Sequence, residues 1–243
     1  MSLLHAETLH LAVNIFDRYC SFHVVDNYNL LGCVTLLIAA KYCDDRESAQ
    51  TLRLICCSLC ADSDLTRMEW YVLQELDWEV GHPTVADFQR SDLIISAEAL
   101  CHPLLIHLSS YLAYIVLYHK EFISVRPSIL SSCTLALAHD ILKCQRPTDQ
   151  TLNLPVCEQI VNSLLTHLIC PPRALFNRYV RSHSSPLWLA IELHFQERMM
   201  QHPQVVSGVP IPMYGLDIER ITMSDMGILP GETRYVGFGS CRL

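Results

Sequence analysis

The chain has 243 residues, 51% of them hydrophobic and only 17% charged, with a mean hydropathy of +0.24. This composition excludes a disordered chain, which could not bury enough apolar surface to offset the entropy of ordering. Eight glycines and 8% aromatics argue against a turn-rich sandwich or barrel, and a net charge of −8 without any basic run argues against nucleic acid as a partner.

No stretch approaches the roughly 18 apolar residues of a membrane span. The longest near-apolar stretch, Leu30–Ala40, is too short, so no membrane partner is expected. The N-terminus has neither the basic region nor the long apolar region of a secretory signal. An intracellular setting, nucleus or cytoplasm, is therefore expected, with the 12 cysteines as reduced thiols.

The periodicity predicts an all-α fold. From Glu7 to Tyr19, residues Leu9, Leu11, Ala12, Val13, Ile15, Phe16 and Tyr19 form an apolar stripe at helical spacing. Asn27–Cys43 is apolar on almost every face, as a buried central helix requires. Its small residues Gly32, Cys33, Ala39 and Ala40 are expected to let neighbouring helices approach closely. A helix follows from Ala49 to about Leu59, and another from Leu65 to about Leu76, with Asp62, Ser63 or Asp64 as its cap. His82-Pro83-Thr84 then interrupts the pattern, because the residue before proline is pushed out of helical space.

Beyond that break, helices are predicted near 84–97, 103–119, 127–143, 153–168, 172–181 and 186–200. Pro103, Pro127, Pro172 and Pro186 stand at first-turn positions, where a missing N–H costs nothing. From 201 onward the character changes: the last 43 residues hold six of the eight glycines and four of the 12 prolines, and read as a mobile tail. A faint internal repeat appears on shifting the chain by 99 residues. LLGCVTLLIAAK (Leu30–Lys41) then lies over ILSSCTLALAHD (Ile129–Asp140), with Leu31, Thr35, Leu36 and Ala39 meeting identical residues. Two helical units joined near residue 82 are inferred: 1–82, 83–200, and the tail 201–243.

Motifs for chemistry are missing. Cys57 and Cys60 form one C-x2-C, but a structural zinc site needs a second ligand pair. There is no G-x-S-x-G elbow, H-E-x-x-H, P-loop or G-x-G-x-x-G. No catalytic residue, metal or cofactor is expected, and a helical interaction protein becomes the default reading. Two charges stand out in apolar surroundings. Lys41 closes the central helix, where the macrodipole favours a cation, and Glu69 falls in the predicted first turns of its helix, where an acid is favoured.

These residues also carry a resemblance. ETLHLAVNIFDRYC (Glu7–Cys20) followed by NLLGCVTLLIAAKYCDD (Asn29–Asp45) resembles the cyclin box, whose characteristic forms are close to HLAVNYIDRF and LVGxxxLxxAxKYEE. MEWYVLQELDWEVGHPTVADF (Met68–Phe88) is similar to the family's MExxVLxxLxWxxxxPTxxxF. YLAYIVLYHKEFISVRPSILSSCTLALAHDIL (Tyr111–Leu142) is similar to the corresponding block of its second half. Four blocks in order, over about residues 5–182, resemble a cell-cycle cyclin of the fungal G1 or B type. The resemblance implies tandem five-helix folds in a regulatory subunit, not an enzyme, that binds and activates a cyclin-dependent Ser/Thr kinase. The kinase's substrates or inhibitors would be secondary partners. It also implies that Lys41 and Glu69 hydrogen-bond kinase backbone, with Ile38, Tyr42 and Leu73 forming an apolar patch between them, open to solvent in the free chain.

Two departures accompany the resemblance. The match starts just before the family's second helix, so the first fold is expected to be incomplete at its N-terminus. Asp17, which in the family pairs with an arginine of that first helix, is then expected as an unpaired carboxylate. The rival readings are a degenerate cyclin that activates no kinase, a TFIIB-like transcription-associated cyclin fold, and an enzyme drawing on the Cys and His content.

Overall fold

A computed structural model describes residues 4–95, 103–144, 155–169, 171–175, 179 and 185–201. No strand occurs among them. In chain order the α-helices are α1 (Ala6–Phe22), α2 (Tyr28–Cys43), α3 (Arg46–Cys57), α4 (Asp62–Glu75), α5 (Val85–Ile95), α6 (Pro103–Leu117), α7 (Pro127–Leu142), α8 (Pro155–Ile169) and α9 (Ser185–Gln201). A 3-10 turn, Lys120–Phe122, precedes α7. Except for Gln201, the tail beginning at 201 lies outside the described residues, as do parts of the helix expected near 172–181. None of the described helices is long and apolar enough to cross a membrane.

Two compact units emerge, one drawn from Met1–Glu98 and His119–Ser132, the other from Ala99–Tyr118 and Cys133–Leu243. The first is organised around α2, which packs against α1, α3 and α4, while α5 packs on α1. Leu31, Val34, Leu37, Ala39 and Ala40 of α2 are wholly buried, and its exposed residues lie at its two ends: Tyr28 and Asn29, then Lys41 and Tyr42. On α1 the buried Thr8, Leu11, Ala12 and Ile15 follow the i, i+3, i+4, i+7 spacing of one helical face. Leu52 and Cys56 of α3 and Leu65 and Val72 of α4 complete this core. Gly32 departs from expectation. A Cβ there would meet nothing within 4 Å, so close approach to α2 depends on Cys33, Ala39 and Ala40 instead.

Polar side chains fix the helix ends. The Asn27 carboxamide accepts from Leu30 N–H at 3.0 Å and starts α2. Asp44 ends it. Its side chain is almost buried and reaches the start of α1, accepting from Thr8 Oγ1 and from His5 N–H at 3.0 Å. Asp45 caps α3 by accepting from Ser48 N–H at 2.7 Å, a bond that holds its carboxyl below the ordinary range. The cap expected from Asp62, Ser63 or Asp64 is not formed. The N-cap of α4 is Ala61, with no side-chain cap, and Asp62 and Asp64 lie in the first turn, favoured there by the helix dipole.

The C-terminus of α4 is closed tightly. Trp78 N–H returns to Leu73 O at 2.9 Å and Asp77 N–H to Gln74 O at 3.0 Å, the paired bonds of a Schellman motif. Asp77 (φ 50°) stands where glycine is usual, and Trp78 (φ 62°) continues the left-handed backbone.

In the second unit α6 packs on α8 and α9. Leu105, Leu108, Tyr111, Leu112 and Ile115 of α6 are fully buried, as are Leu164 and Leu168 of α8. α7 is buried to the same extent as α6. α6 and α7 both begin at a proline, as their sequences predict.

Three ionisable groups, two buried and one half-buried, bear on stability. His10, 3% exposed, is held down to about 4 by burial, against the opposing pull of Asp87. Cys133, wholly buried, is pushed up to about 12, first by burial and then by Cys157 beside it. Asp17 is half-buried, and burial raises its pKa; it has no hydrogen bond or ion pair among the described residues.

Candidate partner-binding site

The packing of α2 against α3 and α4 brings together side chains far apart in sequence. Lys41 occupies the last turn of α2, as its sequence position predicts, and the helix dipole favours a cation there. Its Nζ forms an ion pair with Glu69 Oε1, 28 residues away. Glu69 does not lie in the first turns of its helix: α4 begins at Asp62, so Glu69 sits at its middle, and ion pairing replaces the dipole as its stabiliser. The Glu69 side chain is only 13% exposed and that of Lys41 47%. One end of this pair is thus fixed in the packed edge, and the other is reachable by a partner.

The apolar residues expected between them divide by depth. Tyr42 is 62% exposed, its hydroxyl lying over Gly81, where a Cβ would collide with it. Leu73, one turn beyond Glu69, is half-buried. Ile38 is 4% exposed, and so is not part of a solvent-open patch. It sits one turn before Lys41 on the inward side of α2, and its role in the free chain is core packing.

The outward face of α4 adds residues that the sequence reading did not select. A shallow groove of about 590 Å³ is lined by Thr66, Arg67, Glu69, Trp70, Tyr71, Leu73 and Gln74. Trp70 and Tyr71 are more than half exposed, and Trp78 packs edge-on against Trp70 with ring centroids 5.4 Å apart. Contiguous exposed apolar patches, rather than single exposed side chains, are what mark interaction sites. A signal was present: with Leu65, Val72 and Leu76 directed inward, helical spacing turns Arg67, Trp70, Tyr71 and Gln74 outward. Arg53 of α3 was also missed, and nothing local in the sequence marks it. It reaches Asp62 and Thr66 on α4 and faces Glu69.

No group of three or more His, Cys, Asp or Glu side chains is arranged to hold a metal ion among the described residues. The nine described cysteines form no disulfide among the described residues. Cys57 donates to Asp62 Oδ1 at 3.4 Å. That thiol contact and then Arg53 lower the pKa of Asp62, while burial and Asp62 raise that of Cys57. The edge thus combines the exposed Lys41 and Arg67, the more sheltered Glu69 and the exposed aromatics Trp70 and Tyr71.

Comparison with known proteins defines the class to which this helical arrangement belongs. Residues 2–81 match the family model of the cyclin N-terminal domain and residues 83–166 that of the cyclin C-terminal domain. The chain belongs to the cyclin family, with the two cyclin domains in tandem. Among its relatives is the G1/S-specific cyclin CCN1 of Candida albicans, 27% identical over 223 residues, which covers 82% of this chain and 30% of that protein. Human Cyclin-O is 32% identical over 165 residues, covering 61% of this chain and 45% of that protein. Cyclin-A1-4 of rice is 33% identical over 157 residues, covering 60% and 43%. The chain therefore spans less than half the length of each of these relatives.

Proposed function

We propose that this chain is a regulatory subunit that binds and activates a cyclin-dependent Ser/Thr protein kinase in cell-cycle control, and has no catalytic residues of its own. The observation that carries the proposal is the meeting of Lys41 and Glu69 at the end of α2, beside exposed Tyr42 and half-buried Leu73. Both charges can form charge-assisted hydrogen bonds to partner backbone, and such bonds are roughly twice as strong as neutral ones. Trp70 and Tyr71 extend the contact along α4 as large, rigid anchors of the kind that dominate binding energy.

Activation follows from selective binding. A kinase is active only when its Lys–Glu pair and activation loop are both in place. A rigid helical edge that fits only that arrangement shifts the population toward it, by as much as its affinities for the two states differ. Ile38, one turn before Lys41, belongs to the buried core of the free chain.

The reading is tested by reconstitution with a purified cyclin-dependent kinase from Candida albicans, measuring binding by titration calorimetry and activity by phosphate transfer to a histone peptide. Binding with stimulated transfer supports it. Binding without stimulation replaces it with the degenerate-cyclin reading, and a folded chain that binds no kinase overturns it.

A further inference from the structure

One charged side chain at this edge is not used by the kinase reading. Arg53 projects from α3, and its guanidinium is engaged along one flank. Nε and Nη2 reach Asp62 Oδ1 at 3.0 and 2.8 Å, and Nη2 also donates to Thr66 Oγ1 at 2.8 Å. The guanidinium is planar with donors in fixed directions, so holding one flank sets the aim of the remaining nitrogen. That nitrogen, Nη1, lies 3.9 Å from Glu69 Oε2. The Glu69 carboxylate therefore faces two cations of different character. One oxygen is paired with Lys41, flexible and 47% exposed; the other faces Arg53, fixed and 31% exposed.

The two cations need not do the same work. A partner that draws the Lys41 ammonium onto its own carbonyl oxygens would leave Glu69, at 13% exposed, without its closest counter-charge. An uncompensated charge in so sheltered a position is strongly unfavourable. We propose that Arg53 is a positioning residue of the partner site, holding Glu69 in place and in charge balance while Lys41 is shared with backbone acceptors of the bound kinase. This rests on the kinase reading above. Arg53 touches no partner itself; it acts through Glu69.

The experiment is titration calorimetry of the same Candida albicans kinase against wild type, Arg53→Met, Glu69→Gln and the double variant, with Asp62→Asn and Arg53→Lys alongside. Arg53→Met is expected to weaken binding about tenfold, the size of a coupling within one charge network. That loss is expected to vanish in the Glu69→Gln background, where no carboxylate remains to be held. Arg53→Lys should recover only part of it, because a point charge cannot serve Asp62 and Glu69 together. Asp62→Asn, whose amide oxygen still accepts from Arg53, should lower the melting temperature while leaving affinity within about twofold. Should Arg53→Met fail to fold, Arg53→Lys takes its place in the same cycle. Affinity unchanged by the Arg53 substitution, or a loss of equal size with and without the Glu69 carboxylate, overturns the proposal alone. A folded wild type that binds no kinase overturns the underlying reading and this proposal with it.

Discussion

The central helix α2 and the later helix α7 are the same solution to burial, with different endings. At the four positions where a 99-residue shift gives identity, burial also agrees. Leu31 and Leu130 are buried, as are Thr35 with Thr134 and Ala39 with Ala138, while Leu36 and Leu135 are both half-buried. The endings diverge. The position of Lys41 is taken by Asp140, and that of Ala40 by His139. Lys143, at φ 53°, pairs with Glu197 of α9 within its own unit. On α2 the terminal lysine instead belongs to an edge where exposed aromatics gather. The interior three turns specify packing, and the last turn is where the two helices differ.

The largest expected effect tests the shared interior. Leu31→Ala and Leu130→Ala should each cost about 2–5 kcal/mol in urea unfolding, the range for emptying a buried leucine site. A small loss at only one of them would break the equivalence.

The next effect separates the units by pH. His10 is held near 4 in the folded chain against an ordinary 6.5. The unfolded chain therefore binds the proton first, and the stability from keeping His10 neutral is full above pH 6.5 and lost as pH falls toward 4. The loss amounts to roughly 3 kcal/mol below pH 4, and His10→Asn should flatten that acid limb in melting curves. Cys133 gives the opposite limb in the second unit. Its pKa is raised from 9.0 to about 12, so stability falls as pH rises from 9 toward 12, and Cys133→Ala should remove that part of the fall. Neither Cys33 nor Cys133 should react quickly with an aqueous thiol reagent without unfolding.

The endings are tested by binding. Lys41→Ala and Glu69→Ala should each weaken kinase binding by about 1–3 kcal/mol in calorimetry while leaving the fold largely intact. Asp140→Ala, at the equivalent position of α7, should leave binding unchanged. The smallest effect concerns the beginnings. Asn27→Ala should lower stability by about 1 kcal/mol through loss of the α2 cap, whereas α7 starts at Pro127 and has no such bond to lose.

The elements were legible because burial writes a period into the chain. The all-round apolar Asn27–Cys43 could only be a central helix, and the prolines at 103 and 127 marked starts that the structure places at those residues. Glu69 was misplaced within its helix because Ala61, a residue with no capping chemistry, serves as the N-cap and Asp62 begins the first turn. Ile38 was expected at the surface because an apolar helix end does not reveal which of its faces a neighbour covers. Arg53 was invisible for a different reason. Its meaning lies in bonds to residues 9, 13 and 16 positions away, made only once α3 and α4 lie side by side.

The tight closure of α4 has an optical consequence. The chain has three tryptophans. Two of them, Trp70 and Trp78, stand edge-on at 5.4 Å because the left-handed backbone at Asp77 and Trp78 turns the second ring back onto the first. Indoles this close couple electronically, so the pair should give its own near-ultraviolet circular dichroism band. Both rings are more than half in water, and their fluorescence will shift to shorter wavelength when a partner covers them. Trp188, on α9, belongs to the other unit and supplies an internal reference. The edge thus contains its own reporter, and its occupancy is readable without any attached dye.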